Sequence, residues 1–283
     1  MNLSIITINY NNAQGLIKTF NSVLTQTYTQ FEHVIVDGAS TDNAIEIIQQ
    51  YEKDATARGI KVVWISEKDK GIYNAMNKGI RMASGEYMQI LNSGDCLAAD
   101  TVVADMFAAL KENECPEILY GNMLKTVDWK TYQRDNCGAN SDYTPNSFLY
   151  FYKGTLNHDC AYIKRSLFEK FGYYNEKMKI CSDWEWYVRA IVFGNISPIY
   201  VNIDVTIFDM NGVSESAGKN KHIIQRERSE YLASAFPNAV INDYNNYSFV
   251  LLQYQRLKKY HLWSFVRFME RVLFKLEKWR ILR

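Results

Sequence analysis

The first 91 residues alternate between short, β-branched apolar segments and segments of helical periodicity, and few folds accommodate that order. The apolar segments occupy 3–8, 31–36, 61–65 and 87–91, which predicts four buried strands. Between them, apolar side chains recur on one helical face. The order β-α-β-α-β-α-β predicts an α/β fold with a mostly parallel sheet flanked by helices. Because ligands of such sheets bind at the carboxyl ends of the strands, the polar residues after each strand are the first candidates for a site.

The composition indicates a packed protein in a reducing compartment. Hydrophobic residues make up 47% and charged residues 22% of the 283 residues, which excludes global disorder. The five cysteines are odd in number and form no C-x-x-C pair, which disfavours a zinc site or a disulfide framework and favours the cytosol. No secretory signal is visible, and no stretch reaches the roughly 18 apolar residues of a spanning helix. We therefore expect a cytoplasmic protein, soluble or peripheral on the inner face of the cell membrane.

The second strand ends in the polar turn 37–42. Asp37 lies at the strand's carboxyl end, where a carboxylate can accept hydrogen bonds from a nucleotide base or ribose. Gly38 would let the backbone approach a ligand closely. The alternative is an ordinary strand-to-helix turn with a capping serine, and the motif by itself favours that alternative.

The fourth strand is followed by residues 92–95, Asn-Ser-Gly-Asp. The Asp95 carboxylate can hold Mg²⁺ or Mn²⁺ beside a diphosphate, because these ions take oxygen ligands and often bind through one or two carboxylates plus substrate phosphates. Asn92 can supply an amide oxygen or bind a ribose. A type I or II turn explains the same residues equally well.

A predicted helix begins at 182–186, Ser-Asp-Trp-Glu-Trp. Asp183 and Glu185 lie at the positive end of its dipole, where a carboxylate stays ionised and can accept a proton from a hydroxyl. Trp184 and Trp186 offer apolar faces on which sugar rings could stack. The alternative is a capping residue followed by core tryptophans.

The segment 67–79 combines acids, amides and glycines at a strand-to-helix junction. Asp69 could order a ribose or the loop itself, and Lys70 could reach a phosphate. A solvated charged loop is the alternative, especially for Lys68 and Lys78.

In this order and spacing, the motifs resemble the family 2 glycosyltransferases, and more narrowly the branch that builds bacterial O-antigen and capsule repeats. The motifs are Asn-Tyr-Asn-Asn at 9–12, VDGASTD at 36–42, DKGIYNAMNKG at 69–79, SGEYMQILNSGD at 84–95 and SDWEWYVR at 182–189. The resemblance covers residues 3 to about 214. It implies a GT-A fold with a catalytic domain over 1–215, divided into a nucleotide-binding half (1–97) and an acceptor-binding half (98–215), and leaves a helical C-terminal extension at 216–283.

The resemblance also implies a donor site. The implied nucleotide-sugar-binding residues are Thr7, Asn9, Tyr10, Asp37, Asp69, Lys70, Asn92, Ser93 and Gly94, with Asp95 as the ligand of Mn²⁺ or Mg²⁺. The family commonly has an Asp-x-Asp-Asp motif at 92–95, whereas Asp95 is the only carboxylate here. We expect a nucleotide-diphosphate sugar as the donor.

On the acceptor side, the resemblance implies Asp183 as the general base of an inverting, hexosyltransferase-type reaction. His158, Trp184, Glu185 and Trp186 would line the acceptor, and the loop 208–214 would close near the diphosphate. The implied acceptor is a glycan hydroxyl, with the glycan linked to a polyprenyl diphosphate, in the synthesis of a surface polysaccharide.

The C-terminal segment 249–283 alternates large apolar residues with cations. From 256 to 283 there are nine Lys and Arg against Glu270 and Glu277, a local charge of +7, whereas the whole chain has +1. This composition is typical of an interfacial amphipathic helix on an anionic membrane surface. A helix docked on the catalytic domain and a dimer contact are the alternatives.

Other functions fit the sequence less well. One alternative is a catalytically weak or inactive nucleotide-sugar-binding relative that acts as a scaffold. The single carboxylate in the motif at 92–95 favours this alternative, whereas the presence of the Asp183 helix disfavours it. A nucleotidyltransferase would need a Gly-rich basic loop at 9–14, and a Rossmann dehydrogenase would need G-x-G-x-x-G there. The many large aliphatic residues of the basic tail argue against a nucleic-acid partner.

Overall fold

The computed structural model of the protein describes residues 2–126, 131–138, 144–208 and 217–281. The chain divides into two compact units, Met1–Arg228 and Ser229–Arg283. The predicted boundary between 215 and 216, and most of the predicted closing loop 208–214, lie outside the described residues. The assignment of domains therefore stays a prediction.

The predicted alternation of strands and helices is present at the start of the chain. In order, the elements are β1 Leu3–Asn9, α1 Ala13–Leu24, β2 Glu32–Asp37, α2 Ala44–Ala57, β3 Lys61–Ser66, α3 Ile72–Met82 and β4 Tyr87–Ile90. Every residue of β1, β2 and β4 is buried, as expected for strands covered on both faces, whereas β3 is partly exposed at the edge of the sheet.

The elements that follow are shorter and less regular. They are β5 Cys96–Leu97, α4 Val102–Glu112, β6 Ile118–Thr126, β7 Tyr132–Asp135, α5 Phe148–Lys153, β8 Ala161–Lys164, α6 Arg165–Phe171, α7 Ser182–Tyr187 and β9 Ile199–Phe208. A π-helical turn, Val188–Phe193, continues α7. Three helices follow, α8 Ala217–Ala235, α9 Asn238–Lys259 and α10 Trp263–Ile281, as predicted for a helical extension.

The strands form a mixed sheet in the order β3-β2-β1-β4-β8-β6-β9-β5, and β7 pairs with β6. Strands β3, β2, β1 and β4 are parallel, and so are β6 and β9. Strand β8 runs antiparallel between β4 and β6. An antiparallel strand begins at the edge where its neighbour ends, so the residues just before β8 lie at the same edge as those just after β4. The sheet is mostly parallel and flanked by helices, which confirms the predicted fold class.

Helix α3 packs closely on the parallel part of the sheet through Gly79. A β-carbon at this position would overlap with the Cγ2 atom of Ile6 on β1, so a larger residue would push the helix off the strand. This close packing holds α3 against β1, and residues at the start of the helix, Ile72 and Ala75, line a cavity at the sheet edge.

The unit Ser229–Arg283 is helical and exposes many large apolar side chains. Among the described residues, its large apolar side chains with at least half of their surface exposed are Tyr247, Phe249, Val250, Tyr260, Phe265, Phe268, Leu273 and Phe274. In the described residues, no helix is both long and apolar enough to cross a bilayer.

Candidate functional site

The carboxyl edge of the parallel strands forms one wall of a cavity of about 720 Å³, which we name the donor cavity after the predicted donor site. Each of the first four strands contributes to it through the loop that follows. The polar and glycine residues of its wall are Asn9, Tyr10, Asn12, Gly38, Lys68, Asp69, Gly71, Asn92, Ser93 and Asp95. Except for Phe208, all lining residues come from the first 97 residues.

Asp37 lies beneath this cavity and ties three strand ends together. Its carboxylate accepts hydrogen bonds from the Asn9 amide at 2.8 Å, the Ser40 hydroxyl at 2.5 Å and the Ser66 hydroxyl at 2.7 Å. Burial raises the pKa of Asp37, but these donors and the Ser40 N–H outweigh burial and hold the pKa below its usual value. Asp37 is therefore an ionised, fully hydrogen-bonded anchor, and it does not line the cavity itself.

Asp69 reaches the cavity wall from the loop after β3. The Lys78 ammonium lies 2.6 Å from its Oδ1, which fixes the carboxylate. A β-carbon on Gly38 would come within 3.0 Å of the Asp69 Oδ2 and within 3.1 Å of the Tyr10 ring. A larger residue at 38 would therefore require these two side chains to shift by a few tenths of an ångström.

Four predicted donor residues do not line the donor cavity: Thr7, Asp37, Lys70 and Gly94. The Thr7 hydroxyl is buried, donates to the Leu91 carbonyl at 2.7 Å and contacts His33 Nε2 at 2.8 Å, so Thr7 joins β1 to the end of β4. Lys70 is exposed, and its backbone N–H donates to the Asn74 side chain.

The loop 92–95 is held against α1. The Asn12 amide donates to the carbonyl of Ser93 at 3.0 Å, and the Thr19 hydroxyl donates to the carbonyl of Asp95 at 2.7 Å. Gly94 has a φ of 110°, a conformation that side-chain-bearing residues rarely adopt. Asp95 is buried at the donor cavity. The turn is thus built to present one carboxylate at a fixed position.

A second cavity of about 290 Å³, which we name the acceptor cavity after the predicted acceptor side, shares Asn92 and Phe208 with the donor cavity. Asp183 at the start of α7 lines it, together with His158 from the segment before β8. The antiparallel direction of β8 brings His158 to the edge of Asn92, and their side-chain nitrogens lie 3.3 Å apart. Asp95 and Asp183 therefore lie at adjoining cavities with a common wall.

Asp183 is held in its ionised form by two neighbours. The Tyr73 hydroxyl lies 2.9 Å from Oδ1, and His158 Nδ1 lies 3.4 Å from Oδ2. Burial raises the pKa of Asp183, but His158, the Trp184 N–H and Tyr73 outweigh it, so the pKa is below its usual value. In His158, burial lowers the pKa, yet the bond to Asp183 and its charge raise it above the usual value. Asp183 is therefore held as a carboxylate beside the Nδ1 atom of His158.

The donor atoms near Asp95 fit a divalent ion only together with a substrate. No group of three or more His, Cys, Asp or Glu side chains in the described ranges could hold a metal by itself. Asn92 Oδ1 is buried and has no hydrogen-bond partner among the described residues. One carboxylate, one amide oxygen and the phosphates of a bound nucleotide form a donor set of the kind that Mg²⁺ and Mn²⁺ accept.

The sequence model of the family described as "Glycosyl transferase family 2" matches residues 4–172, more than half of the chain. The chain belongs to glycosyl transferase family 2. A "PGL/p-HBAD biosynthesis glycosyltransferase" of Mycobacterium bovis (strain BCG / Pasteur 1173P2) is 26% identical over 79% of this chain and 82% of its own length. An uncharacterized glycosyltransferase of Mycobacterium tuberculosis (strain ATCC 25618 / H37Rv) is 30% identical over 75% of this chain and 76% of its own.

Solved GT-A structures share the fold of this family 2 glycosyltransferase. TarS 1-349 of S. aureus, in complex with UDP-GlcNAc, has a TM-score of 0.63 at 19% identity and covers 84% of this chain and 69% of its own. The chain spans only 41% of the longer S. aureus TarS chain. The mannosyltransferase PcManGT from Pyrobaculum calidifontis, in complex with GDP-Man and Mn²⁺, has a TM-score of 0.58 at 18% identity over 78% of this chain and 60% of its own. At these identities the likeness concerns the fold alone.

In this glycosyltransferase the tryptophans predicted on the acceptor side are core residues. The Trp184 indole N–H donates to the Phe151 carbonyl at 2.7 Å, and only 2% of Trp184 is exposed, although it contributes to the acceptor-cavity wall. Trp186 is fully buried, stacks on Phe168 at 4.3 Å and lines neither cavity. Glu185 is also buried and pairs with Arg189 at 2.6 Å. Trp186 is therefore a core residue, whereas Trp184 is part of the core and also contributes to the wall of the acceptor cavity.

Three residues that contact Asp183, the segment before it or the acceptor cavity are not among the predicted site residues, namely Tyr73, Glu227 and Arg228. Glu227 on α8 is buried and accepts the backbone N–H groups of 179, 180 and 181 at 2.6, 3.1 and 3.0 Å. Arg228 lines the acceptor cavity. Tyr73 lies within the motif at 69–79, which indicated a site there but not its contact with Asp183. Nothing in the local sequence identifies Glu227, because it is 46 to 48 positions away from its partners.

Proposed function

We propose that this glycosyltransferase moves a hexose from a nucleotide-diphosphate donor to a hydroxyl of a glycan acceptor, with inversion at the anomeric carbon and Asp183 as the general base. One observation supports this most strongly. Asp183 is ionised in a cavity that shares the Asn92 and Phe208 wall with the cavity at Asp95. A base in one cavity and a diphosphate in the other would face the reacting carbon from opposite sides, as inversion requires.

The donor cavity has the size and polarity for a nucleotide sugar. Its volume of about 720 Å³ lies within the 300–1,000 Å³ typical of small-molecule sites. Structures that share the fold contain UDP, UDP-GlcNAc or GDP-Man. We assign the nucleotide to Tyr10, Gly38 and Asp69, and the role of Asp37 is to hold the strand ends beneath it.

Asp95 and the amide oxygen of Asn92 would hold Mn²⁺ or Mg²⁺ together with the donor diphosphate. When bound, the ion supplies positive charge beside the departing nucleoside diphosphate. The chain's own part is to keep Asp95 fixed through the turn at Gly94 and through the bond from Thr19 to the Asp95 carbonyl.

Asp183 removes the proton from the attacking hydroxyl at its Oδ atoms. Tyr73 and His158 hold the carboxylate, so little reorientation is needed when the acceptor arrives. The hydroxyl oxygen then forms the new glycosidic bond while the bond to the donor phosphate oxygen breaks. General-base assistance of this type is worth roughly 10²–10⁴-fold in rate.

We further propose that the acceptor is lipid-linked, through a polyprenyl diphosphate, in bacterial surface polysaccharide synthesis, and that the tail 249–283 contacts the anionic inner face of the cell membrane. Support comes from the exposed apolar side chains Phe249, Phe265, Phe268 and Phe274 beside the local +7 charge. Co-sedimentation with anionic and neutral liposomes, with and without residues 247–283, tests this part. Equal binding of both forms to anionic liposomes would exclude a role for the tail.

The central experiment screens UDP-, GDP- and dTDP-sugars for thermal stabilisation with and without Mn²⁺, and then measures nucleoside-diphosphate release with the stabilising donor. Asp183→Asn is expected to keep donor binding and to lower release at least 100-fold. Asp54→Asn, at an exposed carboxylate on α2, is the matched control and keeps full activity.

Two results would count against this function. A normally folded Asp183→Asn variant with full activity would remove the base, and an Asp95→Ala variant with unchanged Mn²⁺ dependence would remove the ligand. Donor binding without release or transfer by the wild type would favour the scaffold alternative.

A further inference from the structure

The acceptor cavity contains a guanidinium that no motif predicts. Arg228 lies on α8 and is half-buried at the cavity wall. Its Nη2 atom donates to the carbonyls of Gly154 and Phe151, and its Cζ atom lies 4.6 Å from the centre of the Trp184 ring. The guanidinium is therefore fixed in position, and its other N–H groups have no hydrogen-bond acceptor in the described part of the chain.

The other charged groups of the wall have partners of their own. Lys125 pairs with Asp135 at 3.0 Å. Asp183 is bound by His158 and Tyr73, and the buried Asp159 accepts from the Thr206 hydroxyl and the Cys160 N–H.

Arg228 differs from them, because its contacts among the described residues are two carbonyls and a ring, and none of these is a carboxylate. Burial lowers the pKa of Arg228 and outweighs the charge of Asp183, which raises it, so Asp183 compensates the guanidinium only in part. A half-buried charge of this kind is costly unless an anion compensates it.

We propose that the acceptor carries an oxyanion, a phosphate or a carboxylate, close to its reacting hydroxyl, and that Arg228 binds this group in the acceptor cavity. The planar guanidinium matches both oxyanions through paired hydrogen bonds. Met123, Ile180, Phe208 and Ile224 supply apolar wall for the sugar ring. This inference rests on the proposed function, because it names the chemical class of the acceptor that Asp183 would deprotonate.

The first test uses inorganic phosphate as the probe and donor hydrolysis as the reaction, at constant ionic strength. Phosphate in the acceptor cavity would block water from Asp183, so it is expected to lower kcat for nucleoside-diphosphate release and to leave the KM of the donor unchanged. Arg228→Gln should weaken this inhibition about tenfold or more, the usual size for a lost charge-assisted bond. Arg226→Gln, two residues earlier and exposed, is the matched control and should respond like the wild type.

Calorimetric titration of phosphate into protein saturated with nucleoside diphosphate gives a readout that needs no turnover. Arg228→Lys keeps the charge without the planar fork, so it tests the site if the glutamine variant does not fold, and we expect intermediate phosphate affinity. Equal phosphate affinity in wild type and both variants, or inhibition that competes only with the donor, would overturn the assignment of Arg228. In that case the protein would still release nucleoside diphosphate from the donor. The absence of donor binding would instead refute the proposed function.

A second arm separates the two oxyanion sources. Once the donor is known, a neutral hexoside, its 6-phosphate and the matching hexuronide are compared as acceptors. We expect wild-type kcat/KM to be at least tenfold higher for one anionic form than for the neutral one, and Arg228→Gln to lose that preference. A wild-type preference for the neutral hexoside would contradict the inference.

Discussion

Replacement of Glu227 by glutamine should loosen the segment that positions Asp183. The Glu227 carboxylate is buried and accepts three backbone N–H groups, one at Oε1 from Lys179 and two at Oε2 from Ile180 and Cys181. Glutamine keeps the shape but has a single acceptor oxygen. If that oxygen takes the two N–H groups on one side, the amide NH₂ faces the third and leaves it unpaired. A buried N–H that loses its partner costs about 1–3 kcal/mol, so we expect the free energy of unfolding to fall by about 2 kcal/mol.

The functional consequence follows from the next residues in the chain. The carbonyl of Ile180 accepts from the Tyr73 hydroxyl at 2.5 Å, and the same hydroxyl lies 2.9 Å from Asp183 Oδ1. We therefore expect Glu227→Gln to lower kcat for donor hydrolysis about tenfold, because misplacement of a catalytic group is costly. Donor binding should change less than twofold, since residues 179–181 do not line the donor cavity.

Urea denaturation and the steady-state kinetics of nucleoside-diphosphate release measure both quantities. Glu230→Gln, at an exposed carboxylate on the same helix, is the control and should match the wild type in both. A Glu227→Gln variant within 0.5 kcal/mol of wild-type stability, with unchanged kcat, would refute the role given to this carboxylate.

Three further predictions concern other parts of the chain. Burial lowers the pKa of His33 to about 3, so between pH 6.5 and 3 the unfolded chain, in which the pKa is the usual 6.5, binds a proton that the folded protein does not. The free energy of unfolding should therefore fall by up to about 5 kcal/mol as the pH drops from 6.5 towards 3. Urea titrations over that range should show a shallower fall for His33→Gln, and equal slopes would contradict the lowered pKa of His33. Gly79→Ala should destabilise by about 1–3 kcal/mol, because its β-carbon overlaps with Ile6, and an unchanged urea midpoint would show that α3 can move away. Tyr73→Phe removes a hydrogen bond that lowers the pKa of Asp183, so this pKa should rise. The acidic limb of the pH–rate profile of nucleoside-diphosphate release should then move to higher pH. An unmoved limb would mean that Tyr73 does not influence the pKa of the proposed base.

Local pattern was sufficient for the first half of the fold. Each strand and helix up to β4 has its own periodicity, and parallel neighbours place the ends of their strands at one edge whatever the details of packing. The loops 9–12, 37–42 and 92–95 could therefore be grouped from their positions in the sequence. The donor cavity contains residues from all three of them. Thr7 and Asp37 belong to the same edge of the sheet. The sequence pattern could not show that their side chains form hydrogen bonds to other protein groups and do not line the cavity.

The acceptor side depended on contacts between distant parts of the chain. The direction of β8 decides that His158 meets Asn92 and Asp183, and a four-residue strand has no sequence signal for its direction. From the sequence, Trp186 could equally have faced a sugar or the core. In the structure it stacks on Phe168 in the core.

By itself, the sequence determined the α/β alternation, the family, the common edge of the polar loops and the basic apolar tail, since each of these depends on residues close together in the chain. The tertiary structure alone decided which side chains remain open to a substrate. It alone brought Glu227 of α8 to the backbone of residues 179–181, and Arg228 to the cavity that Asp183 lines. The physical reason is that a side chain's hydrogen bonds and burial depend on neighbours that the fold brings from far away, and these leave no periodic trace in the sequence.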